Sequence, residues 1–116
     1  MAAQTHIREI SPDEVRQKIE RGEGVCLVDV RTPVEYAQCH IPNILLLPMD
    51  KFAHGFRAVL APDDEIVCIC EHGVRSESAA RYLAAQGYSN VATMLGGMAS
   101  YAGPVESGLP GDPNSC

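Results

Sequence analysis

The sequence contains no apolar run long enough to cross a bilayer, and its first residues, MAAQTHIREI, lack the basic start and apolar stretch of a secretory signal. Basic residues are also scarce, because nine lysines and arginines stand against fifteen acidic residues, for a formal net charge of −6. On average this charge repels nucleic acid, and no basic cluster offsets it. We therefore expect a cytoplasmic protein that binds neither nucleic acid nor membranes.

The five cysteines fit neither a disulfide framework nor a metal site. An odd number without a secretory signal argues against structural disulfides. Cys68 and Cys70 form a C-x-C pair, but no further ligands follow at the regular spacing that metal sites use. We predict no metal and no cofactor. Cys26 and Cys68 lie in apolar runs, where cysteine is usually a small core residue, and Cys116 ends a polar tail.

Apolar runs that suit buried strands alternate with helical patterns along the chain. The predicted strands cover 25–30, 44–48, 65–70 and 90–95. Helices are predicted after Ser11 and after Thr32, since each is followed by proline and by glutamate three residues on, and then over 50–60 and 75–87. This order predicts an α/β fold with a mainly parallel central sheet of four to five strands and helices on both faces.

The 116 residues are enough for one domain with one modest core, and we treat 1–116 as a single domain. Glycine and proline become dense from residue 102 onward, so an irregular tail is expected over 102–116.

Cys70 stands where a predicted strand ends and a helix is about to begin, in the segment VCICEHGVRS. The positive end of a helix dipole and its unpaired amides favour thiolate, which is the reactive form of cysteine. Gly73 lets the loop curl its N–H groups into an anion-binding nest, and Arg75 adds a fixed positive charge. Ser76 and Ser78 can cap the helix or donate to an anion. The alternative is a buried structural cysteine beside an ordinary helix start.

Three motifs of the chain resemble those of the single-domain rhodaneses, the thiosulfate-type sulfurtransferases. LVDVRTPVEYAQCHIPN resembles the family's D-V-R-x-x-x-E-(F/Y)-x-x-G-H-I-P-G-A stretch, CEHGVRS its active loop, and GYSNVATMLGGMASY its G-(F/Y)-x-N-V-x-x-L-x-G-G-x-x-x-W stretch. The motifs occur in the family's order and spacing, and the resemblance covers roughly residues 8–106.

The resemblance implies that Cys70 takes sulfur from a small donor such as thiosulfate, becomes a persulfide, and passes the sulfur to cyanide or a thiol. A sulfur-relay protein is a further partner to consider. The family's active loop, which would stabilise the transferred sulfur, corresponds to Glu71, His72, Gly73, Val74, Arg75 and Ser76. Its supporting residues correspond to Asp29, Arg31, Glu35 and His40. We expect His40 to anchor the turn before Pro42, and a general-base role for His72 is the weaker interpretation.

The chain departs from the family pattern at four positions. Asn43 replaces a glycine, and asparagine tolerates a positive φ better than other residues do. Tyr101 stands in place of tryptophan. Cys39 replaces another glycine, and it is either inert packing or a thiol that could resolve the persulfide. Glu71 follows Cys70 directly, and at the mouth of the loop it would repel doubly charged thiosulfate.

Two other functions remain to be weighed against this one. Phosphatases and arsenate reductases with a similar cysteine loop place five residues between cysteine and arginine, whereas four separate Cys70 from Arg75. No aspartate follows at a suitable place to act as the general acid. A sulfur carrier or regulatory rhodanese module that acts with a protein partner is the second alternative. Regulatory modules of this kind typically lose the cysteine that is present here.

Overall fold

Five parallel strands form the centre of the structure, a computed structural model that describes residues 6–109. In chain order they are β1 Arg8–Ile10, β2 Cys26–Asp29, β3 Leu45–Leu46, β4 Ile66–Ile69 and β5 Val91–Met94. They lie in the order β1-β5-β4-β2-β3, and every neighbouring pair is parallel. The predicted parallel sheet of four to five strands is confirmed. β4 and β5 are buried along their whole length, as continuous apolar strands require.

Four α-helices cover both faces of the sheet, as predicted. They are α1 Pro12–Glu20, α2 Pro33–Gln38, α3 Met49–Val59 and α4 Val74–Ala85, and a short 3-10 helix follows at Met98–Ser100. On one face, Phe52 and Phe56 of α3 pack with Leu83 of α4. On the other face, Val15 of α1 packs in a cluster with Tyr36 of α2.

The first two helices begin where the sequence predicts them. Ser11 Oγ accepts a hydrogen bond from the Glu14 amide at 3.0 Å. At α2 the capping box is complete, because Thr32 Oγ1 accepts from the Glu35 amide and Glu35 Oε1 accepts from the Thr32 amide. Local hydrogen bonds of this kind need no information from the rest of the fold, which explains why they could be predicted.

Two parts of the architecture were not predicted. β1 is an edge strand of three residues, too short for an alternating pattern to be recognised, and it forms only by pairing with β5. The described part of the tail contains an isolated antiparallel bridge between His40 and Glu106, which ties residues 102–109 to the end of α2. Cys116 and the end of the predicted tail lie outside the described residues.

The turn after α2 agrees with the expectation for Asn43. Its φ is 67°, and among the non-glycine residues described it is the one with a positive φ. Asparagine therefore replaces the family's glycine without losing the left-handed backbone. None of the helices described between residues 6 and 109 is both long and apolar enough to cross a membrane.

The parallel arrangement brings the carboxyl ends of β2, β4 and β5 to one edge of the sheet. Asp29 and Arg31 lie at the end of β2, Cys70 follows β4, and the Gly96–Gly97 turn follows β5. Functional groups of open parallel sheets gather at this edge.

Candidate active site

A left-handed turn at Gly73 connects β4 to α4. Gly73 has a φ of 100° and is the N-cap residue of α4, with no side-chain hydrogen bond capping the helix. Of the two roles predicted for Ser76 and Ser78, capping the helix is wrong, because Gly73 is the N-cap and both serines lie inside α4. A residue with a β-carbon would be strained at this φ, so the loop depends on glycine here.

Two backbone amides of the loop point at the Cys70 sulfur. The amides of Gly73 and Ser76 donate to Sγ at 3.0 and 3.3 Å, and Sγ donates to Ser76 Oγ at 3.4 Å. The first amides of a helix have no partner within the helix, so they are free to bind an anion. The predicted nest is therefore present but narrower than expected, since these two amides, rather than every amide from Glu71 to Ser76, contact the sulfur.

The sulfur lies at the bottom of this loop rather than at its surface. Cys70 is 1 % exposed and packs against the apolar cluster beneath α3 and α4. The exposed side chains of the loop are His72 and Val74, and Glu71 is partly exposed. A reactant must therefore present a narrow group, and an anionic sulfur would be stabilised by hydrogen bonds rather than by water.

Arg75 does not extend into the loop as a free cation. It forms a two-pronged ion pair with Glu35, Nη1 to Oε1 at 2.7 Å and Nη2 to Oε2 at 2.9 Å, which ties α4 to α2. This hydrogen bonding lowers the pKa of Glu35 to about 2, against the opposing effect of burial. The positive charge predicted for Arg75 is therefore used to hold the start of α4 against α2.

Arg31 bridges two carboxylates at the edge of the sheet. Its Nε and Nη2 donate to Asp29, its Nη1 donates to Glu71 Oε1 at 3.0 Å, and its Nη2 also donates to the Cys39 carbonyl at 2.7 Å. Arg31 and Asp29 are almost completely buried. Burial alone would lower the pKa of Arg31, but Asp29 and Glu71 together leave it raised. The Glu71 charge is thus already paired within the protein.

His40 lies away from the sulfur, at the end of α2. Its ring stacks on Tyr36 with 3.7 Å between ring centroids, its Nδ1 donates to the Tyr36 carbonyl at 2.8 Å, and its Nε2 is 3.3 Å from Glu106 Oε1. These contacts fasten the tail to α2. These contacts indicate a structural role for His40, and none of them involves Cys70.

The other described cysteines differ from Cys70 in their surroundings. Cys68 is two residues earlier on the same face of the sheet, and complete burial raises its pKa to about 12. Burial also raises the pKa of Cys26. Cys39 packs in the cluster on the opposite face of the sheet from Cys70, which fits inert packing better than resolution of a Cys70 persulfide. Within residues 6–109, no group of His, Cys, Asp and Glu side chains could hold a metal ion.

The turn after β5 clamps the start of the loop. The amides of Met98 and Ala99 donate to the carbonyls of Cys70 and Glu71 at 2.8 and 3.0 Å. Gly97, with a φ of 64°, lies so close that a methyl group on it would overlap the backbone of Cys70 and Glu71. The third sequence motif therefore supports the second one by direct backbone contact.

Comparison with known proteins places this geometry in a family. The family model for the rhodanese-like domain matches residues 11–103. The chain belongs to the rhodanese-like family. A sulfurtransferase of Allochromatium vinosum is 38% identical over 104 residues, which span 90% of this chain and 94% of that protein. YrkF of Bacillus subtilis, named as a candidate sulfur carrier, is 36% identical over 86% of this chain, which spans 54% of YrkF.

A solved structure supports the same conclusion for the rhodanese-like fold. The rhodanese-like domain protein of Staphylococcus aureus superposes with a TM-score of 0.77 at 32% identity, over 83% of this chain and 92% of that one. The resemblance inferred from the three motifs is thereby confirmed.

Thr93 is the site residue that the sequence analysis missed. It lies on β5, is 2 % exposed, and its Oγ1 is 2.7 Å from Ser76 Oγ. A hydroxyl in the otherwise apolar strand segment VATM is the signal that could have identified it, because a buried polar group requires a partner.

We predict that Gly97→Ala destabilises the protein more than Gly24→Ala does. Both glycines have a positive φ, 64° and 74°, which side chains rarely adopt, but a β-carbon added at Gly24 would lie in open space. The overlap with the loop should cost Gly97→Ala about 1–3 kcal/mol beyond the control. Urea denaturation of both variants measures the difference, and equal free energies of unfolding would contradict the clamp.

We predict that Glu35 contributes to acid stability. Its pKa is lowered from 4.5 to about 2 in the folded protein, so the contribution is complete above pH 4.5 and is lost as the pH falls toward 2. Glu35→Gln should lower the free energy of unfolding at neutral pH by on the order of 2–3 kcal/mol. Between pH 4.5 and about 2, the free energy of unfolding of this variant should depend less on pH than that of the unmodified protein.

The matched control is Glu14→Gln, at the same position of α1 but exposed. It should leave the pH dependence close to that of the unmodified protein. If the free energy of unfolding depends on pH in the same way in both variants, the ion pair between Arg75 and Glu35 does not stabilise the fold.

Proposed function

We propose that this protein is a sulfurtransferase that carries sulfane sulfur on Cys70 as a persulfide. The observation that supports this most directly is the convergence of two amides and one hydroxyl on Cys70 Sγ at the start of α4. Hydrogen bonds to an anion stabilise it in a site from which water is largely excluded. Membership of the rhodanese-like family and a sulfurtransferase relative support the same reaction class.

The reaction consists of two balanced sulfur transfers. In the first, the Cys70 thiolate attacks the outer sulfur of the donor, a new S–S bond forms, and the donor's S–S bond breaks with its electron pair leaving on sulfite, if thiosulfate is the donor, or on a thiolate. In the second, cyanide or a thiolate attacks the outer persulfide sulfur and the electron pair returns to Sγ. No external oxidant or reductant is needed, and the covalent intermediate makes the kinetics ping-pong.

The charges around the loop favour a donor of low charge over thiosulfate. Arg75 is paired with Glu35, and Arg31 is paired with Asp29 and Glu71. Both arginines are already paired with carboxylates of the protein, and the side chain of Glu71, the residue that follows Cys70, is 35% exposed. A small thiol persulfide carries less charge and leaves a thiolate, so we propose it as the better donor.

A sulfur carrier that acts with a protein partner is the second candidate function. The specific observation is apolar exposure beside the loop: Val34 is 70% and Val74 74% exposed, and they directly precede the paired Glu35 and Arg75. A groove of about 360 Å³ on the outer side of α2 is almost entirely apolar, and it is lined by Pro33, Val34, Ala37, Gln38 and Leu109. An exposed apolar surface of this kind suits a partner protein.

A phosphatase or arsenate reductase fits the loop less well. The loop has four residues between Cys70 and Arg75, and the guanidinium of Arg75 already binds both oxygens of Glu35. With Nη1 and Nη2 both donating to Glu35, Arg75 does not direct this pair of donors at a phosphoryl group. A reduced thiol as nucleophile fits the predicted cytoplasmic setting.

We predict that Cys70→Ser abolishes persulfide formation, whereas Cys68→Ala leaves it intact. Cys70 has donors aimed at its sulfur, while the pKa of Cys68 is raised to about 12 by burial. Mass spectrometry after incubation with a thiol persulfide or thiosulfate should detect one added sulfur atom, which cyanide or dithiothreitol removes. Wild-type turnover by Cys70→Ser would contradict the assignment, and release of phosphate from an aryl phosphate would favour the phosphatase.

We predict that kcat/KM is higher for a small thiol persulfide than for thiosulfate. Glu71→Gln removes a negative charge from the residue that follows Cys70 and should raise kcat/KM for thiosulfate by about two- to fivefold, the effect of one partly screened charge. Glu77→Gln is the control, because it removes a carboxylate that is likewise paired with an arginine, Arg81, but lies within α4 rather than directly after Cys70. Equal effects of the two variants, or a preference for thiosulfate, would refute the charge argument.

A further inference from the structure

A chain of two buried hydroxyl groups leads from β5 to the Cys70 sulfur. Thr93 Oγ1 is 2.7 Å from Ser76 Oγ, and Ser76 Oγ is 3.4 Å from Cys70 Sγ. Ser76 and Thr93 are both almost fully buried. Thr93 pairs with Cys68 in the parallel register of β4 and β5, so it lies on the strand next to β4, which Cys70 directly follows.

The positions of the hydroxyl protons decide what this chain can do. Ser76 has one hydroxyl proton and three neighbours that could receive it: the Gly73 carbonyl at 3.2 Å, Thr93 Oγ1 and Cys70 Sγ. A carbonyl oxygen and a thiolate can only accept. When Cys70 is anionic, the Ser76 hydroxyl can donate a hydrogen bond to Sγ only if its proton is not donated to one of the other two neighbours.

We propose that Thr93 is a positioning residue for sulfur transfer, whose hydroxyl donates to Ser76 Oγ and so directs the Ser76 proton toward the anionic Cys70 sulfur. With Thr93 as the donor in the 2.7 Å contact, the Ser76 proton is not needed there and turns to Sγ. This inference rests on the proposed function, because it assumes that Cys70 acts as a thiolate.

The arrangement would serve both halves of the reaction. Cys70 is anionic when it attacks the donor, and it becomes anionic again when the acceptor removes the outer sulfur and the electron pair returns to Sγ. In the neutral thiol the direction reverses, since Sγ then donates to Ser76 Oγ. The hydroxyl pair can therefore supply a hydrogen bond when the negative charge forms and accept one when it is absent.

The test compares Thr93→Val, which removes the hydroxyl at similar shape, with Thr93→Ser, which keeps it. The readout is the ultraviolet absorbance of the thiolate against pH, with the same variant carrying Cys70→Ser subtracted, so that reagent access to the buried sulfur plays no part. Loss of one hydrogen bond should move the titration midpoint upward by about half to one pH unit in Thr93→Val. The titration midpoint of Thr93→Ser should stay near that of the unmodified protein.

Ser76→Ala provides a second, independent arm. It should move the midpoint upward as well, and combining it with Thr93→Val should add little, because Thr93 acts through Ser76. Arg75, Cys68 and Glu71, the neighbouring groups that titrate or carry charge, are unchanged in all of these variants.

The proposal is overturned if Thr93→Val titrates like the unmodified protein, if Thr93→Ser shifts as much as Thr93→Val, or if the two sites contribute additively. Its failure is distinguishable from failure of the proposed function. The titration reports on the hydroxyl pair whether or not sulfur is transferred, whereas the absence of a persulfide on the unmodified protein would refute the proposed function alone.

Discussion

The hydrogen bonds from the start of α4 to the Cys70 sulfur are the interaction on which the site depends. They exist because the chain leaves β4, turns at Gly73, which has a left-handed conformation, and enters α4 at once. The amides of Gly73 and Ser76 therefore point back at Cys70, the residue that follows β4. Cys68, on the same face and equally buried, packs in the apolar core, and burial raises its pKa to about 12. The same side chain is thus a core residue in one position and a candidate nucleophile two residues later.

The arginines of the site hold the architecture together rather than attract an anion. Arg75 joins α4 to α2 through Glu35, and Arg31 joins the end of β2 to Glu71 of the loop. Because these charges are paired, a negative sulfur would be stabilised by neutral dipoles at short range. Because the arginines are paired, we expect a donor of low charge to be preferred. The pair between Arg75 and Glu35 also explains why the loop would resist acid until Glu35 is protonated.

Much of this could be predicted from sequence where the cause is local. The starts of α1 and α2 follow from side chains three residues apart, and the position of Cys70 follows from a strand that runs into a helix. Pairings across the fold could not be predicted in the same way. Glu35 and Arg75 are separated by 40 positions, and Thr93 contacts Ser76 only because β5 lies beside β4.

The sequence by itself determined the alternation of strands and helices, the glycine that the loop needs, and the three motifs that identify the family, because each depends on residue type and short spacing. Only the tertiary structure decided how each polar group is used. It paired Arg75 with Glu35 and Glu71 with Arg31, buried Cys70 to 1 % exposure, and placed the Thr93 hydroxyl in contact with Ser76. The physical reason is that the order of the strands decides which strand ends meet at one edge of the sheet. Charged groups and buried hydroxyls find their partners at that edge only when the fold is assembled.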